Sequence, residues 1–482
     1  MAVLAASVAL GWIAAGSISG RGAADAAVRA DPAEPTYEDE VPAAAAPEPT
    51  APPPVAPAPA AEPTAPAAPP QARPQEDPPP PDPPAPPGPE PPPATPPPAP
   101  PASPPELRPY QPPSALGIAA DALPPEGQAW RLISDARRAA PPGSQERADL
   151  DWLVSYGRLA AGPGAPEGRR AAARRALRVN AWWFGSRPSP GERVIARDPD
   201  GVILTYKRGH GFTVNPVATI GRWRDLNEAW SPAQLAEAVL PMLVARTAGG
   251  TEWAALEYFD VPGDPTAVRP GVSGMAQARA VGLMAKAWAT TGDPRFAVAA
   301  ERALRAFTVP VDDGGVLARV PDPAGGAPGP WYPERAYPGA PAWTGAALNG
   351  FMVTLIELRR AAQSLAQPAP TGTGTSPTTS PAPAADAASH AATARMARAV
   401  ADRGARSLAR FLPEHDTGAW SLYGLLTPGK PWRSYLADLN YHCYHVSLLR
   451  TLDTLYPADG HAAAAARWQS YVDARGATCP AR

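Results

Sequence analysis

The chain has 482 residues and a formal charge of −2, and about half of its 71 prolines fall between Asp31 and Ser114. Proline at that density excludes a packed core there and leaves a body of about 350 residues, enough for one large domain with a smaller attachment. The near-neutral charge hides a division, because the first 114 residues carry 13 acids against four arginines and the remainder stands near +7; that balance suits an anionic ligand or an ordinary solvated surface equally well.

Residues 1–26 read as a signal peptide or membrane anchor. Ala2 to Gly20 is almost wholly apolar or small, and Ala24-Asp25-Ala26 resembles a small-residue cleavage site. A stretch of about 18 to 20 apolar residues is also just long enough to span a membrane, so cleavage and anchoring stay open. Either places the body outside the cytoplasm, secreted or held at the cell surface. Residues 27–122 read as a disordered Pro/Ala-rich linker, within which Asp31 to Ser114 is expected to be an extended spacer of roughly 200 Å, because proline fixes φ and removes a donor.

Residues 123–215 read as a mixed helix and β-hairpin part. Glu146 to Tyr156 and Gly168 to Trp183 look helical, and Arg193 to Ala196 and Val202 to Lys207 flank an Asp198-Pro199-Asp200-Gly201 turn, a hairpin signal. From 216 to 478 the pattern is helical. Ser231-Pro232-Ala233-Gln234 is a capping-box start with proline at the first helical position, and Leu235, Val239 and Leu243 extend its stripe to about Arg246. Gly274 to Thr291 is stopped by Gly292, and Asp293-Pro294 caps the next helix, to about Phe307. Trp343 to about Ala366 and Thr393 to about Leu412 flank a tract, 367–388, that reads as a disordered surface insertion. Leu439 to Leu455 and His461 to about Ala474 form the last pair.

Helices joined by short turns pack as antiparallel hairpins, and several in succession suggest a mainly α chain built as an α/α solenoid or toroid with a cleft at one end. Cys443 and Cys479 are expected to be unpaired, since Cys443 lies in an apolar helical pattern. No CxxC or HExxH spacing appears, so no metal or cofactor is expected. Nothing in the pattern points to nucleic acid.

Trp331 to Phe351, WYPERAYPGAPAWTGAALNGF, places five aromatics, one carboxylate and an arginine in a loop and helix start. GAWSLYGL (Gly418 to Leu425) and DLNYHCYH (Asp438 to His445) add tyrosines and histidines. These residue types suit a cleft that holds a sugar and moves a proton on it. The hydrogen beside a uronate carboxylate is weakly acidic, and its removal leaves an enediolate with more negative charge on the carboxyl group. Inverting that centre needs a base on one face, an acid on the other, and donors or cations for the carboxylate. Glu334 with Tyr337 on one face and Tyr423 or Tyr441 on the other meet the need, with Arg335 or Arg433 at the carboxylate. Which tyrosine serves which face stays open. Trp331, Tyr332, Asn349, His442 and Gln277 are candidate substrate contacts. Each has a plainer reading: Tyr441 and His442 as a half-buried pair at a helix start, Tyr423 as core, Glu334 as a solvated loop carboxylate, Asn349 as a brace. Gly274 and Gln277 lie at a helix start that could bind an anion or simply pack closely.

PGVSGMAQARAVGLMAKAWATTGDPRFAVAAERALRAF (Pro270 to Phe307), WYPERAYP, LNGFMVTLIEL, LPEHDTGAWSLYGL and NYHCYHVSLLRTL resemble, in that order, the C-terminal domain of the D-glucuronyl C5-epimerases. GVILTYKRGHGFTVNPVATIGRW (Gly201 to Trp223) is similar to a strand-to-helix segment of the same family. The resemblance covers roughly Gly201 to Tyr471. It implies an incomplete (α/α) toroid after a β-rich part, conversion of glucuronate to iduronate within an anionic polysaccharide, and possible homodimers. It also implies catalytic roles for a Glu-Tyr pair and for two later tyrosines, which fall on Tyr423 and Tyr441. The pair departs from the family's WYEEYP-like run, since Arg335 and Ala336 separate Glu334 from Tyr337. The family's YDLR-like run is YGLL here, with Gly424 and Leu426 in place of an Asp and an Arg.

Two other classes remain open. A polysaccharide lyase would share the proton abstraction and then expel the C4 substituent, whereas a glycoside hydrolase would need two opposed carboxylates drawn from Glu334, Asp416 and Asp438. A catalytically inactive glycan-binding module is the third reading, favoured by the split Glu-Tyr pair.

Overall fold

The computed structural model describes residues 115–480 except 191–193, 227–229, 260–267, 323–324, 340–345, 368–383, 425–435 and 458. The proposed signal or anchor, the Pro-rich linker up to 114, Arg433 and Trp343 therefore lie outside the described residues. Among those described, eleven α-helices and three small sheets make the chain mainly α.

The first three helices, α1 (Glu126–Ala139), α2 (Gln145–Ala160) and α3 (Glu167–Phe184), pack on one another and fall between the first and second strands of a four-stranded sheet. The sheet runs in order β1 (Leu116–Gly117), β2 (Ile195–Arg197), β3 (Ile203–Lys207) and β4 (Gly211–Val214). The hairpin read around Asp198 forms as β2 and β3, antiparallel with Ala196 opposite Leu204. The Asp198 carboxylate accepts from the backbone N–H groups of Asp200 and Val202 at 3.0 and 2.9 Å, an Asx-type closure. Arg175 of α3 clamps the same turn through Asp198 and Asp200.

α4 (Pro216–Leu226) and α5 (Pro232–Val239) follow, and α5 carries the expected capping box between Ser231 and Gln234. The helix expected to run on to Arg246 ends at Val239. Pro241 cannot donate the hydrogen bond a helix interior needs, and the chain passes through a short 3₁₀ turn into β5 (Leu243–Ala248). β5 pairs antiparallel with β6 (Thr251–Tyr258) across Gly249 and Gly250, both at positive φ, 54° and 76°. β7 (Gly271–Val272) then pairs with the end of β6, Tyr258 opposite Gly271.

The remaining helices are α6 (Gly274–Thr291), α7 (Pro294–Arg305), α8 (Leu348–Leu365), α9 (Ala384–Phe411), α10 (Leu439–Leu455) and α11 (His461–Asp473), with β8 (Ala318–Val320) and β9 (Gly329–Trp331) between α7 and α8. Gly292, in the left-handed region, closes α6, and Asp293 caps α7, so α6 and α7 form a short-turn hairpin. α8 packs against α6, α9 and α10 and is buried on nearly every side from Leu348 to Leu358, as a central helix must be. α9 begins at Ala384, so residues 384–388, expected to belong to a disordered insertion, are helical. One hydrophobic core runs from Ile118 to Trp468 and takes in residues on both sides of position 216. No described helix is long and apolar enough to cross a membrane.

Cys443 and Cys479, expected to be free, form a disulfide that closes 36 residues of chain. Cys443 does sit in an apolar pocket with Trp420, Leu439 and Val472, but the segment after α11 folds back so that Ala477 and Cys479 cover it.

Candidate functional site

Three separated stretches meet at the amino end of α8. Ala347, its N-cap residue, provides no side-chain cap, so the positive end of the helix dipole is not offset by a cap of its own. The Leu348 N–H donates to the carbonyl of Tyr423 at 2.8 Å, and Ala347 bridges Gly424. Glu334 lies on the same turn: a Cβ placed on Gly350 would come within 3.2 Å of its Oε2 and 3.3 Å of its Cβ. A carboxylate at a helix amino terminus is held there by the dipole. The Tyr423 ring in turn meets that of Tyr441 edge-on, centroids 4.6 Å apart. Asp438 caps α10 by accepting from the Tyr441 N–H at 2.7 Å, which leaves the Tyr441 side chain 38% exposed.

The loop carrying Glu334 is sewn to the start of α6. Gly274 N–H donates to the Pro333 carbonyl at 2.8 Å, and Val272 and Ala336 exchange two hydrogen bonds of 3.0 and 2.8 Å. Tyr337 thus lies flat on Gly271, where an added Cβ would be 2.3 Å from its Cε1. No larger residue fits beneath that ring. Tyr337 is only 1% exposed. The Arg269 guanidinium stands over it at 5.9 Å, and the Tyr258 ring packs against it at 6.2 Å. The Tyr258 hydroxyl also donates to the Glu334 carbonyl at 3.2 Å. Tyr258 and Arg269 were not singled out from the sequence. The signal for Tyr258 was the Gly249-Gly250 pair, which announces the hairpin whose second strand ends on it.

Beside Tyr258 is Glu257, 5% exposed and gripped by Arg169 through two hydrogen bonds of 2.7 and 3.0 Å and by Arg246. A small cavity lined by Tyr156, Arg169, Thr213, Glu257 and Tyr258 adjoins this ion cluster. Burial, reinforced by the nearby Glu257 carboxylate, pushes the Tyr156 phenol up.

Four of the expected substrate contacts are occupied elsewhere. Trp331 is buried and stacks on Phe351 at 3.9 Å, with His415 parallel at 6.0 Å. Tyr332 is buried, edge-on to Phe307, and donates to the Val400 carbonyl at 3.2 Å; burial pushes its phenol up. Gln277 is fully buried, its amide donating to the Ala254 and Ala303 carbonyls and accepting from Leu256 N–H, so it ties α6 to β6 and α7. His442 lies flat on Trp420 at 3.8 Å and bonds Ser421 and the Trp468 carbonyl. These residues brace the core, and Trp331 and Tyr332, expected to contact substrate, are buried. Asn349, on the first turn of α8, is 5% exposed, and its Oδ1 accepts no hydrogen bond among the described residues. Arg335 is half-buried in the loop beside Glu334.

The two further carboxylates considered for hydrolysis are also committed. Asp438 caps α10. Asp416 is partly buried, which opposes its ionisation, but bonds from Gly418 N–H, Trp468 Nε1 and Tyr471, with Arg467 close by, leave it below the usual carboxylate range.

The described body is thus a helical assembly in which one acid and several phenols gather at helix starts. Over residues 256–470 the chain matches the family described as D-glucuronyl C5-epimerase C-terminus. A D-glucuronyl C5-epimerase of Caenorhabditis elegans is 27% identical over 200 residues, a match covering 42% of this chain and 28% of that protein.

Proposed function

We propose that the protein is a uronate C5-epimerase acting on an extracellular or cell-envelope polysaccharide, of the glucuronate-to-iduronate type. The family match across residues 256–470 carries the reading. The gathering of Glu334, Tyr423 and Tyr441 around the first turn of α8 supports it. In this reading a base removes the C5 hydrogen as a proton, the electron pair passes into the carboxylate as an enediolate, and an acid on the opposite face returns a solvent-derived proton to C5. Glu334 with Tyr337 forms one side and Tyr423 with Tyr441 the other. The amino end of α8 with Asn349 meets the carboxylate, with Arg335 or, outside the described residues, Arg433 as its cation, and Arg269 offers a further cation in place of the one missing from the YGLL run. The helix pairs would then form the incomplete (α/α) toroid, with an anionic polysaccharide as partner.

Export, with the Pro-rich tract as a spacer behind a signal or anchor, belongs to the same proposal. The Cys443–Cys479 disulfide supports an oxidising compartment. Homodimerisation is part of the proposal only through the family resemblance.

A second reading, a glycan-binding module without catalysis, is favoured by one observation, the near-complete burial of Tyr337. A hydrolase is disfavoured, because Asp416 and Asp438 are held in structural bonds and only Glu334 is left. Incubation with glucuronate polymers in deuterated water separates the outcomes. Deuterium at C5 without unsaturated ends supports the epimerase, new double-bond absorbance a lyase, and binding without exchange the inactive module.

A further inference from the structure

The two members of the split Glu-Tyr pair share a neighbour from outside their own loop. Tyr258, the last residue of β6, gives its hydroxyl to the Glu334 carbonyl at 3.2 Å and its ring edge to Tyr337 at 6.2 Å. We infer that Tyr258 is a positioning residue that holds Glu334 and Tyr337 in register across the Arg335-Ala336 insertion. The inference rests on the epimerase reading and extends it to a residue outside the loop.

The mechanical case begins with the loop. Two residues placed between an acid and a phenol that must act together lengthen the chain by up to about 7 Å, so the backbone has to be pinned on both sides of them. Val272 pins Ala336 through two backbone bonds, and Gly274 pins Pro333. Between these clamps lies the Glu334 peptide, whose carbonyl accepts from the Tyr258 hydroxyl. Fixing the carbonyl restricts ψ of Glu334 and hence the direction in which its side chain leaves the backbone toward Gly350.

Tyr258 is itself well supported. It lies opposite Gly271, the glycine under the Tyr337 ring, so one β-pairing sets the height of both phenols. The preceding residue, Glu257, is locked by Arg169 and Arg246. β6 is further held by Gln277, which bonds Leu256 N–H and the Ala254 carbonyl. A half-buried phenol on a strand fixed this firmly places its hydroxyl with little freedom, which is what a supporting group needs.

Tyr258→Phe in the full chain tests the inference, since it keeps the ring on Tyr337 and removes only the hydroxyl. With a glucuronate polymer in deuterated water, kcat for deuterium entry at C5 is expected to fall about five- to tenfold, the size of one net hydrogen bond. KM should stay within about twofold. Each protein is assayed equally far below its own melting temperature, so a purely structural role would appear as a lower melting temperature with kcat unchanged. Tyr258→Ala, which removes the ring as well, is expected to lose more kcat than Tyr258→Phe. Exchange by the unaltered protein with undiminished kcat in Tyr258→Phe overturns this inference alone. If the unaltered protein shows no exchange, the epimerase reading falls and the inference falls with it.

Discussion

Tyr423 and Tyr441, eighteen positions apart, meet ring edge to ring face at 4.6 Å, one tied by its carbonyl to the first turn of α8 and the other on the first turn of α10. The pairing joins two helix starts through two phenols while leaving Tyr441 exposed. In the proposed reaction this pair faces Glu334 across the amino end of α8.

Tyr441→Phe should therefore separate chemistry from stability. The ring contact with Tyr423 survives the change, so the melting temperature should fall by no more than a few degrees. Deuterium entry at C5 should drop by about 100-fold or more if the phenol is the acid or base. Unchanged exchange would falsify a catalytic role for Tyr441.

Glu334→Gln removes a charge from the amino end of a helix whose N-cap side chain makes no cap. Helix-dipole energetics predict a loss of about 0.5–1 kcal/mol in stability. Exchange should fall far more steeply than that stability change can explain. Urea unfolding and the deuterium assay, run on the same preparation, provide the two numbers.

Gln277→Ala should be among the most damaging single changes. It leaves Leu256 N–H and the Ala254 and Ala303 carbonyls buried without their amide partner. The expected cost is on the order of 3–5 kcal/mol, from several unsatisfied groups together. A melting temperature within a degree of the parent protein would contradict the bracing role.

Cys479→Ser opens the loop that the disulfide closes. For a closed loop of that length the chain-entropy model gives about 4 kcal/mol. The same loss should follow reduction of the unaltered protein and should be absent when the Ser variant is reduced. Unfolding curves with and without reductant check both statements.

Acid should weaken the fold through two buried histidines. His415 and His442 are buried, and loss of hydration pushes each down to about 4 from the usual 6.5. Between those values the unfolded chain binds protons that the folded rings refuse, so stability is full above about pH 6.5 and declines as pH falls toward 4. Up to roughly 3 kcal/mol per ring is at stake. Urea midpoints at a series of pH values should fall across that window, and a flat profile would count against neutral buried rings.

The helices were legible where their signals are local. Ser231, Gly292 with Asp293, and Asp438 each cap or stop a helix through contacts a few residues away. The β5–β6 hairpin was hidden because Leu235, Val239 and Leu243 keep helical spacing straight through Pro241. Trp331 and Tyr332 misled for a physical reason: an aromatic pair has the same composition whether it faces a sugar or, as here, Phe351 and Phe307. The Cys443 partner was set by how the segment after α11 folds back, which no spacing encodes. Tyr258 went unnoticed because its importance comes from a neighbour 76 residues later.

The grip of Arg169 and Arg246 on Glu257 has a practical consequence. Both cations come from upstream of residue 256, where the family match begins, whereas the buried carboxylate lies just inside it. Excising the matched segment as a minimal fragment would remove both cations and the α3, β4 and β5 side chains packed around Glu257. Anyone dissecting this chain should cut no later than the start of α3, keeping Arg169 and Arg246 with the carboxylate they hold.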